Sequence, residues 1–218
     1  MNVLITAAGT QEPVDDVRVL SNLSTGRLGA ALANSLHAEE GVSVTLLSGP
    51  ALTAQPSWVH QGVERVPFTS AADLQAKLQR LIAERRPRLV FMAAAVADYS
   101  PVPTQGKRPS DSERWTIELR KNPKLLDLLR GWCGPEAVIC GFKLMSSVSP
   151  EDLVATARRQ MERADLDLCV ANDLAELSAE THPAWIVARG GEAARVEGDK
   201  ASTAARIGAA GLAAARGG

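Results

Sequence analysis

The stretch NVLITAAG, residues 2–9, is an apolar run that ends in small residues and a glycine. Because its apolar residues follow one another without alternation, it predicts a strand buried on both faces, as in a parallel sheet. The alanines and Gly9 then predict a tight turn at the carboxyl end of this strand. The same succession of strand and turn recurs along the chain and decides the fold.

Strand and helix patterns alternate over the whole sequence. Further strands are predicted at 42–48, within 58–68, and at 88–94, 113–120, 137–142 and 166–171, with a hairpin at 183–197. Helices are predicted at 24–40, from the capping sequence at Ser70 to Arg86, from Asn122-Pro123, at 149–164 and from Asp199 onward. The alternation predicts one domain, residues 1–218, with an α/β, Rossmann-like, mostly parallel sheet and helices on both faces.

Ligands of such sheets bind at the carboxyl ends of the strands. Four loops, TAAGTQEP, AAVADYSP, GFKLM and ANDL, are therefore expected at one edge of the sheet. A stretch rich in proline, glycine and serine, at about 100–112, is too long for an ordinary connection and predicts a flexible flap.

Composition limits the partners and the compartment. A net charge of −1 argues against a general nucleic-acid or membrane-surface binder. Since Met1 leads directly into the first strand and no apolar run approaches ~20 residues, we expect no signal peptide and no membrane span. The cysteines lack metal-ligand spacing and predict free thiols in a reducing cytoplasm. They are Cys133, Cys140 and Cys169.

The first loop lacks the dinucleotide fingerprint, because Gly9 is its only glycine and Gly26 and Gly29 come much later. Short-chain nicotinamide enzymes require the motif Tyr-x-x-x-Lys. The single tyrosine here is Tyr99, and the lysine position of that motif is occupied by Pro103. An NAD(P)-dependent oxidoreductase is therefore kept only as an alternative function for this chain. The scattered histidines give no nucleophilic triad and no metal site.

A candidate anion site lies at 21–29, SNLSTGRLG. Ser24, Thr25 and Gly26 fall where the first helical turn is predicted, so their N–H groups and hydroxyls would face a phosphate. Arg18 or Arg27 would add positive charge. An ordinary Ser/Thr helix cap explains the same residues, and both interpretations stay open here.

Polar residues in the other loops have either ligand-binding or structural explanations. Asp98 would accept from a nucleotide hydroxyl or help to hold Mg²⁺, or else form a turn. Lys107 is either part of a site or a solvated surface residue, whereas Lys143 directly follows a buried strand. Asn172 and Asp173 would bind a ligand or form an Asx turn. Local chemistry alone thus indicates a phosphate- or nucleotide-handling α/β enzyme.

Taken together, these loops resemble one family. TAAGTQEPVDDVRVLSNLSTGRLG is similar to the opening of phosphopantothenate–cysteine ligases, the phosphopantothenoylcysteine synthetases of coenzyme A biosynthesis. AAAVADY, GKRPS, LRKNPKLL, GFKL and VANDL follow in the family's order, and the resemblance extends from Asn2 to about Val187. It implies the free-standing bacterial form, a cytoplasmic homodimer without FMN, with 113–120 as a candidate dimer element.

The resemblance also implies a reaction in two steps. The carboxylate of 4′-phosphopantothenate attacks the α-phosphate of CTP, or of ATP, and releases pyrophosphate; the amine of cysteine then displaces the nucleoside monophosphate. Joining two anions requires positive charge, Mg²⁺ and fixed donors rather than a protein nucleophile. A non-catalytic nucleotide-sensing module on the same fold is the second alternative.

Residue roles follow from the matching positions. The resemblance implies that Asn22 binds the acyl-nucleotide and acts in the second step, and that Lys107 is the first lysine of the flap. It implies nucleotide binding by Ser24, Thr25, Gly26, Ala94, Ala95, Asp98 and Phe142, and binding of the pantothenate phosphate or the triphosphate by Arg18 and Arg27. From their positions in the loops, we also expect Gly9 and Lys143 to bind the nucleotide, Asn172 to bind substrate and Asp98 to bind Mg²⁺. The flap sequence Lys107-Arg108-Pro109-Ser110 and the arginines Arg158, Arg159 and Arg163 replace lysines of the fused bacterial form, so the choice between CTP and ATP stays open.

Overall fold

A computed structural model describes residues 1–107 and 113–217 of the chain. The strands are β1 (Asn2–Ala7), β2 (Gln11–Pro13), β3 (Val19–Ser21), β4 (Ser43–Ser48), β5 (Glu64–Pro67), β6 (Leu89–Met92), β7 (Tyr99–Pro101), β8 (Leu119–Lys121), β9 (Val138–Met145), β10 (Leu168–Asp173), β11 (Ala184–Ala188) and β12 (Ala193–Val196). The helices are α1 (Arg27–His37), α2 (Pro50–Thr53), α3 (Ala71–Arg85), α4 (Leu125–Cys133), α5 (Pro150–Ala164) and α6 (Lys200–Gly217).

Eight of these strands form one sheet in the order β12-β11-β10-β9-β6-β1-β4-β5. All pairs from β5 to β10 are parallel, and β11 and β12 continue the sheet as an antiparallel hairpin. The chain runs outward from β1 through β4 to β5 and then crosses back to β6, which places a change of direction between β1 and β6. Crevices at such switch points are where open α/β sheets bind ligands.

The sheet is covered on both faces. Val3 and Ile5 of β1 pack in a cluster with α1 and α6, whereas Leu4 between them packs in a second cluster with α3, α4 and α5. Successive strand residues point to opposite faces, so continuous apolar runs are buried on both sides. The prediction of a mostly parallel, Rossmann-like sheet with helices on both faces is confirmed.

Caps and turns explain where several elements begin. Ser70 and Ser149 accept hydrogen bonds from the backbone N–H groups three residues later and so cap α3 and α5, as their sequences predict. The hairpin at 183–197 is also present, as β11 and β12. The helix predicted from Asn122-Pro123 begins slightly later, at Leu125.

The predicted strand at 113–120 is wrong in extent. Only Leu119–Lys121 is a strand, and its partner is β7 in a separate two-stranded ribbon rather than the main sheet. Within the described residues, no further strand is assigned to this segment, and the Trp115 ring lies 4.6 Å from the Arg18 guanidinium carbon. Alternation in sequence therefore did not lead to an extended strand here.

A second ribbon, β2 and β3, lies beside the first and was not predicted from the sequence. Glu12 of β2 is buried, and its carboxylate accepts hydrogen bonds from the N–H of Ala71 (2.9 Å) and the hydroxyl of Ser100 (2.7 Å). Because a buried carboxylate requires such partners, Glu12 fixes this ribbon against α3 and β7.

Cysteine and membrane predictions have simple outcomes. All three cysteines are free. Burial raises the pKa of the Cys169 thiol to about 12, although the positive charge of Lys143 acts to lower it. Among the residues that the structure describes, no helix has the length and apolar character needed to cross a membrane.

The contact between α1 and β1 generates a stability prediction. A Cβ atom on Gly29 would lie 2.4 Å from the Cβ of Ala7, closer than two carbons can pack. We expect Gly29→Ala to lower the free energy of unfolding by about 1–2 kcal/mol, since overpacking outweighs the ~1 kcal/mol gain in helix propensity. Urea denaturation monitored by circular dichroism measures the change.

Gly131→Ala is the matched control, because a Cβ atom on this exposed glycine of α4 would have open space within 4 Å. The same substitution there is expected to raise the free energy of unfolding by about 0.5–1 kcal/mol. Equal effects at the two positions would contradict the proposed close approach of α1 and β1.

Candidate active site

Backbone segments meet at the carboxyl end of β1. The Gly9 N–H donates to Ser24 O (3.2 Å), the Ala95 N–H donates to Ala8 O (3.0 Å), and Gly9 and Ala95 form a parallel β-bridge. A Cβ on Gly49 would lie 2.6 Å from Gly9 O. The loops after β1 and β6 and the segment before α1 are therefore joined by direct contacts between their main chains.

Asn22 belongs to this junction. Its side-chain amide donates to Ala95 O (3.2 Å), and its own carbonyl accepts from the Ser24 N–H (2.9 Å). One side chain thus connects the segment before α1 to the loop after β6. Leu23, beside it, is fully exposed.

The start of α1 differs from the sequence prediction. The helix begins at Arg27, so Ser24 and Thr25 precede it rather than forming its first turn. Gly26 is the N-cap residue, with a φ of 76°, and no side chain caps the helix. A side chain at Gly26 would be strained by this φ and would lie 2.9 Å from the Cβ of Ala8. Neither Ser24 nor Thr25 is therefore the N-cap residue, although the Thr25 hydroxyl accepts from the Arg27 N–H at 3.4 Å.

A cavity of about 390 Å³ opens beside this junction. It brings together nine of the predicted positions: Ser24, Thr25, Gly26, Arg27, Ala94, Ala95, Phe142, Lys143 and Asn172. Arg27, Lys143 and Lys200 line it, and no carboxylate is among its lining residues. The cavity therefore combines small residues, one aromatic ring and three cations, which suits an anionic, nucleotide-sized ligand.

A smaller cavity of about 160 Å³ adjoins the first and shares Ala94 and Phe142 with it. Asp98 lies here, and its carboxylate accepts from the Lys124 ammonium at 3.0 Å. Arg163 also lines this cavity and pairs with Asp127 at 3.1 Å. Lys124 was not singled out from the sequence, although it lies within the LRKNPKLL motif.

The donor set around Asp98 does not form a Mg²⁺ site. Among the described residues, Asp98 is the only carboxylate that lines either cavity, and a lysine already binds it. The described part of the chain contains no group of three His, Cys, Asp or Glu residues that could hold a metal ion. Since Mg²⁺ requires six oxygen ligands, the protein residues seen here would not hold it without oxygens from a bound phosphate.

Asn172 and Asp173 at the end of β10 have different environments. Asn172 lines the cavity, and its amide donates to Pro183 O (2.6 Å). Asp173 accepts from the N–H groups of Ser147 and Val148, each at 2.8 Å, and of Ala175 at 2.9 Å. These backbone donors lower the pKa of the Asp173 carboxyl, with the Val148 bond contributing most. The Asx-turn explanation therefore holds for Asp173.

Five predicted residues lie outside the lining of the main cavity: Gly9, Asn22 and Asp98, described above, and Arg18 and Lys107. Arg18 stacks on Trp115 and lies 3.6 Å from the Asp15 carboxylate. Lys107 is exposed and follows Gly106, whose N–H donates to the Asp16 carboxylate at 3.1 Å. Arg108, Pro109 and Ser110 of the predicted flap lie outside the described residues.

His182 and Lys200 line the cavity but were not predicted as site residues. His182 is 8% exposed, and its Nδ1 has no hydrogen-bond partner. Burial and, secondarily, the charge of Lys200 lower the pKa of His182 to about 4, so the ring is neutral at pH 7. Only folding brings these residues to the loops described above, which is why no local pattern identifies them.

The chain matches known proteins in sequence over most of its length. The model of the DNA/pantothenate metabolism flavoprotein C-terminal domain family matches residues 1–212. The coenzyme A biosynthesis bifunctional protein CoaBC of Thermococcus kodakarensis is 29% identical over 187 residues, 86% of this chain and 45% of that protein. The chain thus spans less than half the length of the curated relatives it matches first.

Solved structures agree in fold. The DNA/pantothenate metabolism flavoprotein from Streptococcus pneumoniae has a TM-score of 0.82 at 28% identity, with 95% of this chain and 96% of that chain covered. A His-to-Ala variant of Cab2, in complex with phosphopantothenate-cysteine, has a TM-score of 0.77 at 22% identity, with 99% and 86% covered. By its family match over almost its entire length, the chain belongs to the DNA/pantothenate metabolism flavoprotein C-terminal domain family.

Proposed function

We propose that this chain is a phosphopantothenate–cysteine ligase, which joins 4′-phosphopantothenate to cysteine through an acyl-nucleotide intermediate. The cationic cavity beside Asn22 is the observation that carries the proposal, because both the nucleotide and phosphopantothenate are anions. Family membership supports it, as does the Cab2 structure solved with phosphopantothenate-cysteine. Residues 1–218 act as one domain in this proposal.

The proposed nucleotide site uses the two ends of the main cavity. The base lies against Phe142, and the phosphates lie against Ser24, Thr25 and Gly26 at the start of α1. The free N–H groups and the dipole of this helix favour negative charge there. Gly9, Ala94 and Ala95 let the ligand approach the backbone, and Arg27 and Lys143 contribute charge.

In the first step, a carboxylate oxygen of phosphopantothenate forms a bond to the α-phosphorus, and the bond to pyrophosphate breaks. In the second step, the cysteine nitrogen forms the amide bond, loses its proton to solvent, and expels the nucleoside monophosphate. We place Asn22 at the acyl-nucleotide, since its amide already lies against the Ala95 carbonyl at the cavity wall. Holding both reactants in place contributes most of the required catalysis.

Other assignments complete the proposal. Asn172 and Arg18 bind substrate, Lys107 begins a flap at about 100–112 that closes over the nucleotide, and Asp98 contacts ribose or substrate in exchange for Lys124. CTP with Mg²⁺ is the proposed co-substrate, with ATP as the other possibility, and no FMN is expected. The free thiols suit an enzyme of the reducing cytoplasm.

We also propose that the chain forms a homodimer through its two ribbons. Exposed apolar side chains concentrate on and beside them: Val17, Val19, Leu20, Leu23, Tyr99, Trp115, Ile117 and Leu119. A cluster of exposed apolar side chains favours contact with another apolar protein surface, such as the two ribbons of a second copy of the chain.

The ligase activity is tested directly by pyrophosphate release. Purified protein with phosphopantothenate, cysteine, Mg²⁺ and CTP should release pyrophosphate and form phosphopantothenoylcysteine, detected by mass spectrometry. ATP in place of CTP measures the nucleotide preference. Absence of turnover with both nucleotides contradicts the ligase, and CTP binding without pyrophosphate release would instead indicate a nucleotide-sensing module.

The role of Asn22 predicts a separation of the two steps in the Asn22→Asp variant. A carboxylate cannot donate to Ala95 O, so the side chain at position 22 is no longer held against the cavity wall. The acyl-nucleotide then loses the group that fixes its position. We expect pyrophosphate release to continue while amide formation falls by about 100-fold or more, as on removal of a preorganised donor. Single-turnover assays that quantify both products provide the measurement.

Asn2→Asp is the matched control for that variant. Asn2 also donates its amide to a backbone carbonyl, that of Arg85 at 2.8 Å, but it lies at the opposite end of β1. This variant should form amide at the wild-type rate. Wild-type amide yield from Asn22→Asp would remove Asn22 from the proposed role.

The homodimer predicts a mass near twice that of the 23.1 kDa chain in size-exclusion chromatography with light scattering. Ile117→Asp, at a side chain that is 39% exposed, should shift the protein toward monomer because it places a charge in the apolar contact. Leu128→Asp, at an exposed leucine of α4, is the control and should leave the mass unchanged. A monomeric wild-type protein at micromolar concentration would refute the dimer.

A further inference from the structure

Two cavities adjoin the main cavity, and they share different residues with it. The cavity of about 160 Å³ shares Ala94 and Phe142, whereas a cavity of about 440 Å³ shares Arg27 and Lys200. The aromatic ring and the two shared cations therefore lie toward different ends of the main cavity. A nucleotide whose base contacts Phe142 would extend its phosphates toward Arg27 and Lys200.

Lys200 has the chemistry of a phosphate ligand. It is the first residue of α6, an 18-residue helix, and its ammonium donates to Ser178 O at 3.3 Å. No carboxylate of the described residues forms an ion pair with Lys200, Arg27 or Lys143, although the chain contains 25 acidic residues against 24 basic ones. Cations without a carboxylate partner keep a net positive charge available to an anionic ligand.

His182 provides an independent indication of a ligand at this end of the cavity. It is more than nine-tenths buried, lines the cavity, and leaves Nδ1 without a hydrogen-bond partner. Buried polar groups without partners are rare and call for an explanation such as a missing ligand or water. Its main chain is already fixed, since its N–H donates to Gly198 O (2.7 Å) and its carbonyl accepts from the Thr203 hydroxyl (2.8 Å).

We propose that Lys200, with Arg27, binds the β- and γ-phosphates of the nucleotide and retains them as the pyrophosphate leaving group. This inference rests on the proposed ligase function. When the carboxylate attacks, the bond from the α-phosphorus to its bridging oxygen breaks, and the electron pair remains on pyrophosphate. The ammonium of Lys200 neutralises the charge that develops there.

This role also accounts for the sequence of the flap. The flap has Pro109 and Ser110 where the fused bacterial form has two lysines, so in this proposal a cation on a different element supplies positive charge at the distal phosphates. Lys200 supplies it from the sheet-covering helix rather than from a loop. The cation is then present before the nucleotide binds, which avoids the entropy cost of ordering a flexible lysine.

Ligands that differ only in their distal phosphates test the proposal. We would measure the affinities for CTP, CMP and inorganic pyrophosphate by isothermal titration calorimetry. Lys200→Gln should lower the affinities for CTP and pyrophosphate by about tenfold or more, as expected for the loss of one charge-assisted bond. CMP affinity should stay within about twofold, because CMP lacks the β- and γ-phosphates. Lys200→Arg, which keeps the charge, should restore most of the lost affinity.

Arg206→Gln is the matched control, because it removes one exposed positive charge from the same helix. It should leave all three affinities unchanged. Unchanged CTP and pyrophosphate binding in Lys200→Gln, or an equal loss for CMP, would overturn the proposed role. If wild-type protein releases pyrophosphate while Lys200→Gln behaves as wild type, only this inference fails; if wild type shows no turnover, the ligase itself fails.

Wild-type protein allows a test that does not depend on a variant. Brief acetylation with acetic anhydride, followed by peptide mass spectrometry, measures the reactivity of Lys200 directly. Pyrophosphate should protect Lys200 at least about threefold more than CMP does, while the exposed Lys121 keeps its reactivity. Equal labelling of Lys200 with and without pyrophosphate would contradict the proposal.

Discussion

Contact of backbone with backbone at the carboxyl end of β1 is the constraint on which the site depends. Gly9 bonds to Ser24 O and bridges to Ala95, while Gly49 approaches Gly9 O so closely that no side chain fits. Ala8, between them, has a φ of 71° and is fully buried. A larger residue at these positions would separate the loops, and the cavity wall would lose its continuity.

Small residues at this junction determine what the ligand contacts. Glycine and alanine at the junction bring N–H and C=O groups to fixed positions beside the cavity, and the charge comes from Arg27, Lys143 and Lys200. Acidic side chains near the site are already engaged: Asp98 by Lys124, and Asp173 by three backbone N–H groups. These paired charges thus differ from the three cations that line the cavity, which have no carboxylate partner among the described residues.

The elements of the main sheet were predictable because burial on both faces leaves a continuous apolar signature, as in β1 and β10. The ribbons were not. Three-residue strands such as β2 and β8 are too short for periodicity, and the alternation at 113–120 carried no information on whether a partner strand exists. In the candidate site, the residues of the loops could be predicted from the order of the strands and from the resemblance. Lys124, His182 and Lys200 could not, because contacts between distant segments bring them to the site.

The position of α6 explains why such a distant residue contributes. Gly208 and Gly211 let this helix pack closely, since a Cβ at Gly211 would lie 2.5 Å from the ring of Phe91 in β6 and one at Gly208 only 3.3 Å from Leu36 of α1. Close packing against both elements fixes the axis of α6, and its N-terminus then lies beside the cavity. Small residues therefore act twice: at the end of β1 they let three backbone segments meet beside the cavity, and within α6 they allow the packing that places Lys200 in the cavity lining.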